Sequence, residues 1–188
     1  MINKPEKIST KLLDGCINGK IKYQEKLYRK FYAYGISICL RYAYSREEAV
    51  EILNDSFLKI FENISDYNPA LSFKSWLAKI IINTSIDYYR KNKKKLLITE
   101  IEIDKIELLD CRLIEQFDIS DIQSLLNTLP ENYRLVFNLY EIEGYKHKEI
   151  AKILGIEESN SRTILTRAKV ALRAAYQKYH KKKYAKVI

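Results

Sequence analysis

Apolar positions recur at helical spacing along most of the chain. Over residues 22–44, Leu27, Phe31, Ile38 and Tyr42 fall on one stripe, with Tyr28, Tyr32, Ile36, Cys39 and Leu40 beside them, which predicts an amphipathic helix. Ser45-Arg46-Glu47-Glu48 has the form of a capping box, in which the Ser oxygen accepts from a free first-turn N–H and Glu48 reaches back. The helix it opens, over 46–64, places Ala49, Ile52, Leu53, Phe57, Ile60, Phe61 and Ile64 on one face. Turn formers Ser65-Asp66-Tyr67-Asn68-Pro69 end it. A third helix follows over 72–92, with Phe73, Leu77, Ile80, Ile81 and Tyr88 on one side, and runs into Arg90-Lys91-Asn92-Lys93-Lys94-Lys95.

Residues 96–119 lose this period and predict an extended linker. Ser120-Asp121-Ile122-Gln123 is a second capping box, opening a short helix to 127. Pro130 suits the first turn of a helix, where its missing N–H costs nothing; that helix runs to 142 and stops at Gly144. Two more span 146–154 and 158–178. The prediction is an all-α chain of two small helical domains, 20–95 and 120–178. An N-terminal tail (1–19), the linker and a frayed, Lys-rich basic tail (179–188) account for the rest.

Composition supports helices over hairpins, since 188 residues hold only 5 Gly and 3 Pro and tight β-turns need both. No apolar run approaches the roughly 18 residues of a membrane span. The segment Met1 to Lys7 lacks the apolar block of a signal peptide. A cytoplasmic protein is the expectation. Cys16, Cys39 and Cys111 lie far apart, so they read as reduced thiols rather than a disulfide frame or metal site.

The net charge of +9 hides a pattern. Residues 1–95 carry 18 Lys/Arg and 10 Asp/Glu, net +8; residues 96–121 carry 2 and 8, net −6; residues 122–188 carry 13 and 6, net +7. The acidic stretch reads either as a solvated linker or as a segment that avoids or imitates nucleic acid between two modules that bind it.

The sharpest local signal runs from His147 to Ile156 and then from Ser159 to Lys169. Ala151 supplies the small residue where two helices touch, and Gly155, four residues on, the turn position that needs φ > 0. Ile150, Leu154, Ile156 and Leu165 can fill a small core. The second helix then presents Asn160, Arg162, Thr163, Thr166 and Arg167, a donor-rich face suited to a major groove. In the first domain, Lys79, Asn83, Asp87 and Arg90 share a helix face, and Phe73, Trp76, Tyr88 and Tyr89 interleave with Lys74, Lys79, Arg90 and Lys91. Such interleaving suits single-stranded nucleic acid, although Trp76 at helical spacing also reads as core. The preceding helix carries Glu51, Asp55 and Glu62 with Leu58 among them; an acidic face with an exposed Leu points to a protein partner.

Taken together, these segments resemble a known pattern. Glu48 to Phe61 is similar to region 2.2 of bacterial RNA polymerase sigma factors. Phe73 to Ile80, with Asn83, Asp87 and Arg90, resembles the helix that reads and opens the −10 element. Leu129-Pro130-Glu131, Gly144 and Glu149 to Lys169 resemble region 4. The two regions joined directly in under 200 residues match the plan of the extracytoplasmic-function (ECF) sigma factors.

The resemblance implies that Glu51, Asn54, Asp55 and Leu58 dock on the coiled coil of the β′ clamp of core RNA polymerase. It implies that Phe73, Lys74, Trp76, Lys79, Asn83 and Arg90 contact −10 DNA, with loop 65–72 helping Asn83 to capture an unstacked base. It places Lys148, Asn160, Arg162, Thr163, Thr166 and Arg167 on the −35 element, the β flap against region 4, and the acidic linker in the RNA exit path. An anti-sigma factor, membrane-bound in some cases, is a common partner. Ser161 stands where the family is usually apolar, Ile164 where it often has Arg, and Lys146 where it usually has a Ser or Thr cap. Only His147 and His180 are present, with no HExxH, P-loop or Cys–His constellation, so neither catalysis, cofactor nor metal is expected. The rivals are a dimeric helix-turn-helix regulator that binds duplex DNA without polymerase, and an RNA-binding protein.

Overall fold

The computed structural model describes residues 8–93 and 125–184. The predicted linker 96–119, the capping box at 120–123 and Cys111 lie outside them. Among the described residues every regular element is helical. The chain divides into two compact units, Met1–Leu96 and Leu97–Ile188.

The first unit holds α1 (Thr10–Ile17), α2 (Ile21–Cys39), α3 (Arg46–Glu62), a 3-10 turn (Ile64–Asp66) and α4 (Phe73–Lys93). Helix α1 corrects the predicted N-terminal tail. Ser9 caps it by accepting from the Leu12 N–H at 3.3 Å, and it buries Leu12, Leu13 and Cys16 on the side that meets α2. Its approach is close because residue 15 has no side chain: a Cβ on Gly15 would lie 2.2 Å from Cγ of the Tyr23 ring. Helix α3 starts where predicted, Ser45 Oγ accepting from the Glu48 N–H at 3.1 Å. The returning carboxylate goes one residue further than a capping box requires, accepting from the Tyr44 N–H at 2.9 Å. The inward stripes of α2, α3 and α4 form one core. Leu27, Phe31, Leu53, Phe57, Ile60, Phe73, Leu77 and Ile81 are each at most 2% exposed.

The second unit holds the helical residues Leu125 and Leu126, α5 (Glu131–Phe137), a π-helical turn (Asn138–Ile142), α6 (His147–Leu154) and α7 (Glu158–Tyr184). Gly144 at φ 75° and Gly155 at φ 65° make the two bends, the left-handed conformation that a residue with a Cβ resists. The backbone N–H of Lys146 donates to the Glu149 carboxylate at 2.8 Å, so half of a capping box operates without a Ser or Thr. Helix α7 runs to Tyr184, past the predicted end at 178 and into the predicted basic tail. No Gly or Pro follows residue 155, and the Ala, Lys, Arg and Gln of this segment are strong helix formers.

Replacing Gly15 with Ala forces α1 off the Tyr23 ring. The gain of about 1 kcal/mol in helix propensity is smaller than the roughly 1–3 kcal/mol cost of overpacking. Urea unfolding of Gly15→Ala is therefore expected at a lower midpoint than wild type.

Candidate functional site

On α3 the stripe opposite the core is formed by Glu51, Asn54, Asp55 and Leu58, all exposed. Leu58 is 61% exposed, an apolar side chain held in water beside two carboxylates. Two tyrosines brace this stripe from neighbouring helices. The Tyr28 hydroxyl on α2 donates to Asn54 Oδ1 at 2.9 Å, and the Tyr88 hydroxyl on α4 donates to Glu51 Oε2 at 3.3 Å. The sequence reading missed these braces, which join residues 26 and 37 positions apart.

On α4, Lys74, Lys79, Asn83, Asp87 and Arg90 are exposed. Asp87 binds the Lys59 ammonium at 3.2 Å and Arg90 at 3.7 Å, which ties this face to α3. Trp76 is half-buried, its ring 5.4 Å from Tyr67 and 5.5 Å from Phe73. Phe73, predicted to contact DNA, is fully buried. Its ring packs 5.1 Å from Phe31 and 5.0 Å from Tyr67, so it is a core residue. The helical period places it on one stripe with Leu77 and Ile81, and that stripe points inward. The loop before α4 is preorganised. The Tyr67 hydroxyl donates to the Leu71 carbonyl at 2.7 Å, and Asn68 Oδ1 accepts from the Ala70 N–H at 3.0 Å.

In the second unit Lys148, Asn160, Arg162, Thr163, Thr166 and Arg167 are all exposed. Arg162 pairs with Glu158 one turn before it. The Thr163 and Thr166 hydroxyls donate to carbonyls of their own helix at 3.0 Å, leaving oxygen lone pairs to accept from a ligand. The inner side of this helix is Ser161, Ile164, Leu165 and Ala168, all buried. Ile150 is fully buried as predicted, whereas Leu154 and Ile156 are only half-buried. The sequence reading missed that Ser161 meets His147, whose Nδ1 lies 3.0 Å from Ser161 Oγ. Burial, then the Arg162 and Lys169 cations, push the His147 imidazole below its ordinary value of 6.5, with Glu158 and Glu141 opposing.

Among the described residues no group of three His, Cys, Asp or Glu side chains is placed to hold a metal ion. Cys39 is fully buried and its thiol is pushed up to about 12, burial being the main cause. At that value it stays protonated and acts as packing. No helix among the described residues is long and apolar enough to cross a membrane.

Two family models match, Sigma-70 region 2 over residues 27–95 and Sigma-70 region 4 over residues 119–172. The ECF RNA polymerase sigma factor SigM of Bacillus subtilis (strain 168) is 30% identical over 135 residues, covering 69% of this chain and 80% of SigM. The chain belongs to the ECF RNA polymerase sigma factors. The sigma factor SigV of the same organism is 29% identical over 136 residues, covering 72% of this chain and 78% of SigV. A solved structure of the sigma factor RpoE with the anti-sigma factor NepR from Bartonella quintana aligns at TM-score 0.49 and 16% identity. It covers 81% of this chain and 96% of that one. As an ECF sigma factor, the chain associates with core RNA polymerase and directs it to promoter DNA for initiation.

The burial of Phe73 separates two phenotypes within one helix. Phe73→Ala is expected to cost about 3–5 kcal/mol of stability. Lys79→Ala, at an exposed position, is expected to change it by no more than about 0.5 kcal/mol. Thermal melts of the two variants measure the difference directly.

Proposed function

We propose that the sigma factor divides its work among three helix faces. The outward stripe of α3, Glu51, Asn54, Asp55 and Leu58, docks on the β′ clamp coiled coil. Helix α4, through Lys74, Trp76, Lys79, Asn83 and Arg90, works with loop 65–72 to capture an unstacked −10 base and open the duplex. Helix α7, through Asn160, Arg162, Thr163, Thr166 and Arg167, with Lys148 of α6 alongside, reads the −35 element while the β flap holds the second unit. The protein works in the cytoplasm, carries no catalysis of its own and is restrained by an anti-sigma factor.

The observation that carries this reading is the exposed Leu58, 61% accessible within an acidic stripe. A surface meant for nucleic acid is basic. An acidic stripe with an unburied apolar centre suits a protein partner that covers the Leu and pairs with the carboxylates. The basic face of α4 lies on the same three-helix core, so polymerase and DNA are bound by different faces. On α7, exposed Arg and Thr alternating with buried Ser161, Leu165 and Ala168 match a helix seated in a major groove.

Replacing Asp55 and Leu58 together with Ala should weaken core binding while circular dichroism stays native. Core affinity equal to wild type would show that this stripe is not the dock. Arg162→Ala or Arg167→Ala should weaken −35 recognition by roughly 1–3 kcal/mol where the side chain reads a base, and less where it meets only phosphate. An unchanged footprint over the −35 element would contradict the role of α7.

A further inference from the structure

His147 is the first residue of α6 and Ser161 lies on the inner side of α7. Both are buried, at 9% and 0% exposure. The imidazole stacks on the Tyr140 ring of the π-helical turn, centroids 4.4 Å apart and planes 23° from parallel. Its Nδ1 lies 3.0 Å from Ser161 Oγ. One side chain of α6 thus joins both the preceding π-helical turn and α7. A buried polar pair of this kind carries a directional constraint that apolar packing lacks, because rotating α7 breaks the hydrogen bond and strands two polar atoms. The next residue after Ser161 is Arg162, the first cation of the outward face, so the angle at which Ser161 is held is also the angle at which Arg162 points.

The charged groups around the ring set how it responds to a proton. From α7 come Arg162, Lys169 and Glu158, and from the π-helical turn Glu141. Lys169 and Glu141 are spent on each other, Nζ to carboxylate 2.7 Å, and Glu158 pairs with Arg162. Neither carboxylate is left unpaired to receive an imidazolium. The positive end of the α6 helix dipole also disfavours a cation there.

Building on the reading of α7 as the −35 helix, we propose that His147 is a positioning residue for −35 recognition. Its neutral ring, stacked on Tyr140 and hydrogen-bonded to Ser161, locks the rotation of α7, and protonation places a cation without a carboxylate partner in that buried contact, which favours its opening. A histidine pushed below its ordinary value favours the locked form above about pH 6.5, and that contribution is lost as pH falls through the folded value.

The test uses core polymerase with the full chain on two promoters that share a −10 element, one with the preferred −35 sequence and one with it scrambled. The readout is the ratio of open complex formed on the two, from about pH 7.5 down to about pH 5.5, the range in which an imidazole titrates. Taking the ratio cancels pH effects on polymerase itself. For wild type it should fall several-fold with pH. His147→Asn keeps a polar atom near the Nδ1 position without the titration, so its ratio should be independent of pH. Ser161→Ala, a small change that spares the fold, should lower the ratio at neutral pH. A wild-type ratio that is high and flat across the range overturns the proposal, as does a wild-type ratio in Ser161→Ala. A wild-type ratio of one at neutral pH would instead overturn the reading of α7, and this inference with it.

Discussion

The first unit is organised by how near α2 comes to α3 and α4 at Gly35. A Cβ there would lie 2.6 Å from Leu53 Cδ1 and 3.2 Å from Ile81 Cδ1, so the missing side chain lets two helices close onto a third. Closure at that distance commits the inward stripes of all three to the core. It also decides which side chains face water, because a helix that buries one stripe must show the opposite one. Polar residues caught inside are neutralised locally. The Ser56 and Ser85 hydroxyls donate to carbonyls one turn back, at 2.6 and 2.8 Å, so both of these buried hydroxyl protons have a partner.

What the outward stripes can do follows from that packing. The α3 stripe is acidic with an exposed Leu, and the α4 face is basic, yet the two are cross-braced. Tyr88 of α4 reaches Glu51, and Lys59 of α3 reaches Asp87. The acidic α3 face and the basic α4 face therefore share one braced scaffold, which suits the proposed division of work between polymerase and promoter DNA. The second unit relies on a different device. Its core around α6 is small, and a buried His–Ser hydrogen bond supplements apolar contacts where α6, α7 and the π-helical turn meet.

Much of this was readable in the sequence, because period and turn chemistry agree there. Helices α3 and α4 carry unbroken apolar stripes, Ser45 announces its cap, and Gly155 falls where a left-handed turn is needed. The exposed candidates on α7 were readable because buried Ser161, Leu165 and Ala168 recur between them every three to four residues. Helix α1 escaped notice because eight residues are too short for a convincing period, although Ser9 followed by Leu12, Leu13 and Cys16 was a signal. Phe73 was assigned to DNA because alternating aromatic and basic residues say nothing about which ring faces inward; its spacing with Leu77 and Ile81 held the answer. The His147–Ser161 pair and the tyrosine braces depend on contacts between separate helices, which local patterning does not encode.

Promoter opening by core RNA polymerase with this protein can be read by permanganate footprinting of unpaired thymines on promoter fragments, with core RNA polymerase alone, this protein alone, and both together. Reactive thymines are expected over the −10 element only when both are present. Tight binding to duplex DNA by the protein alone, with no unpaired thymines when a compatible core is added, would contradict a role in promoter opening.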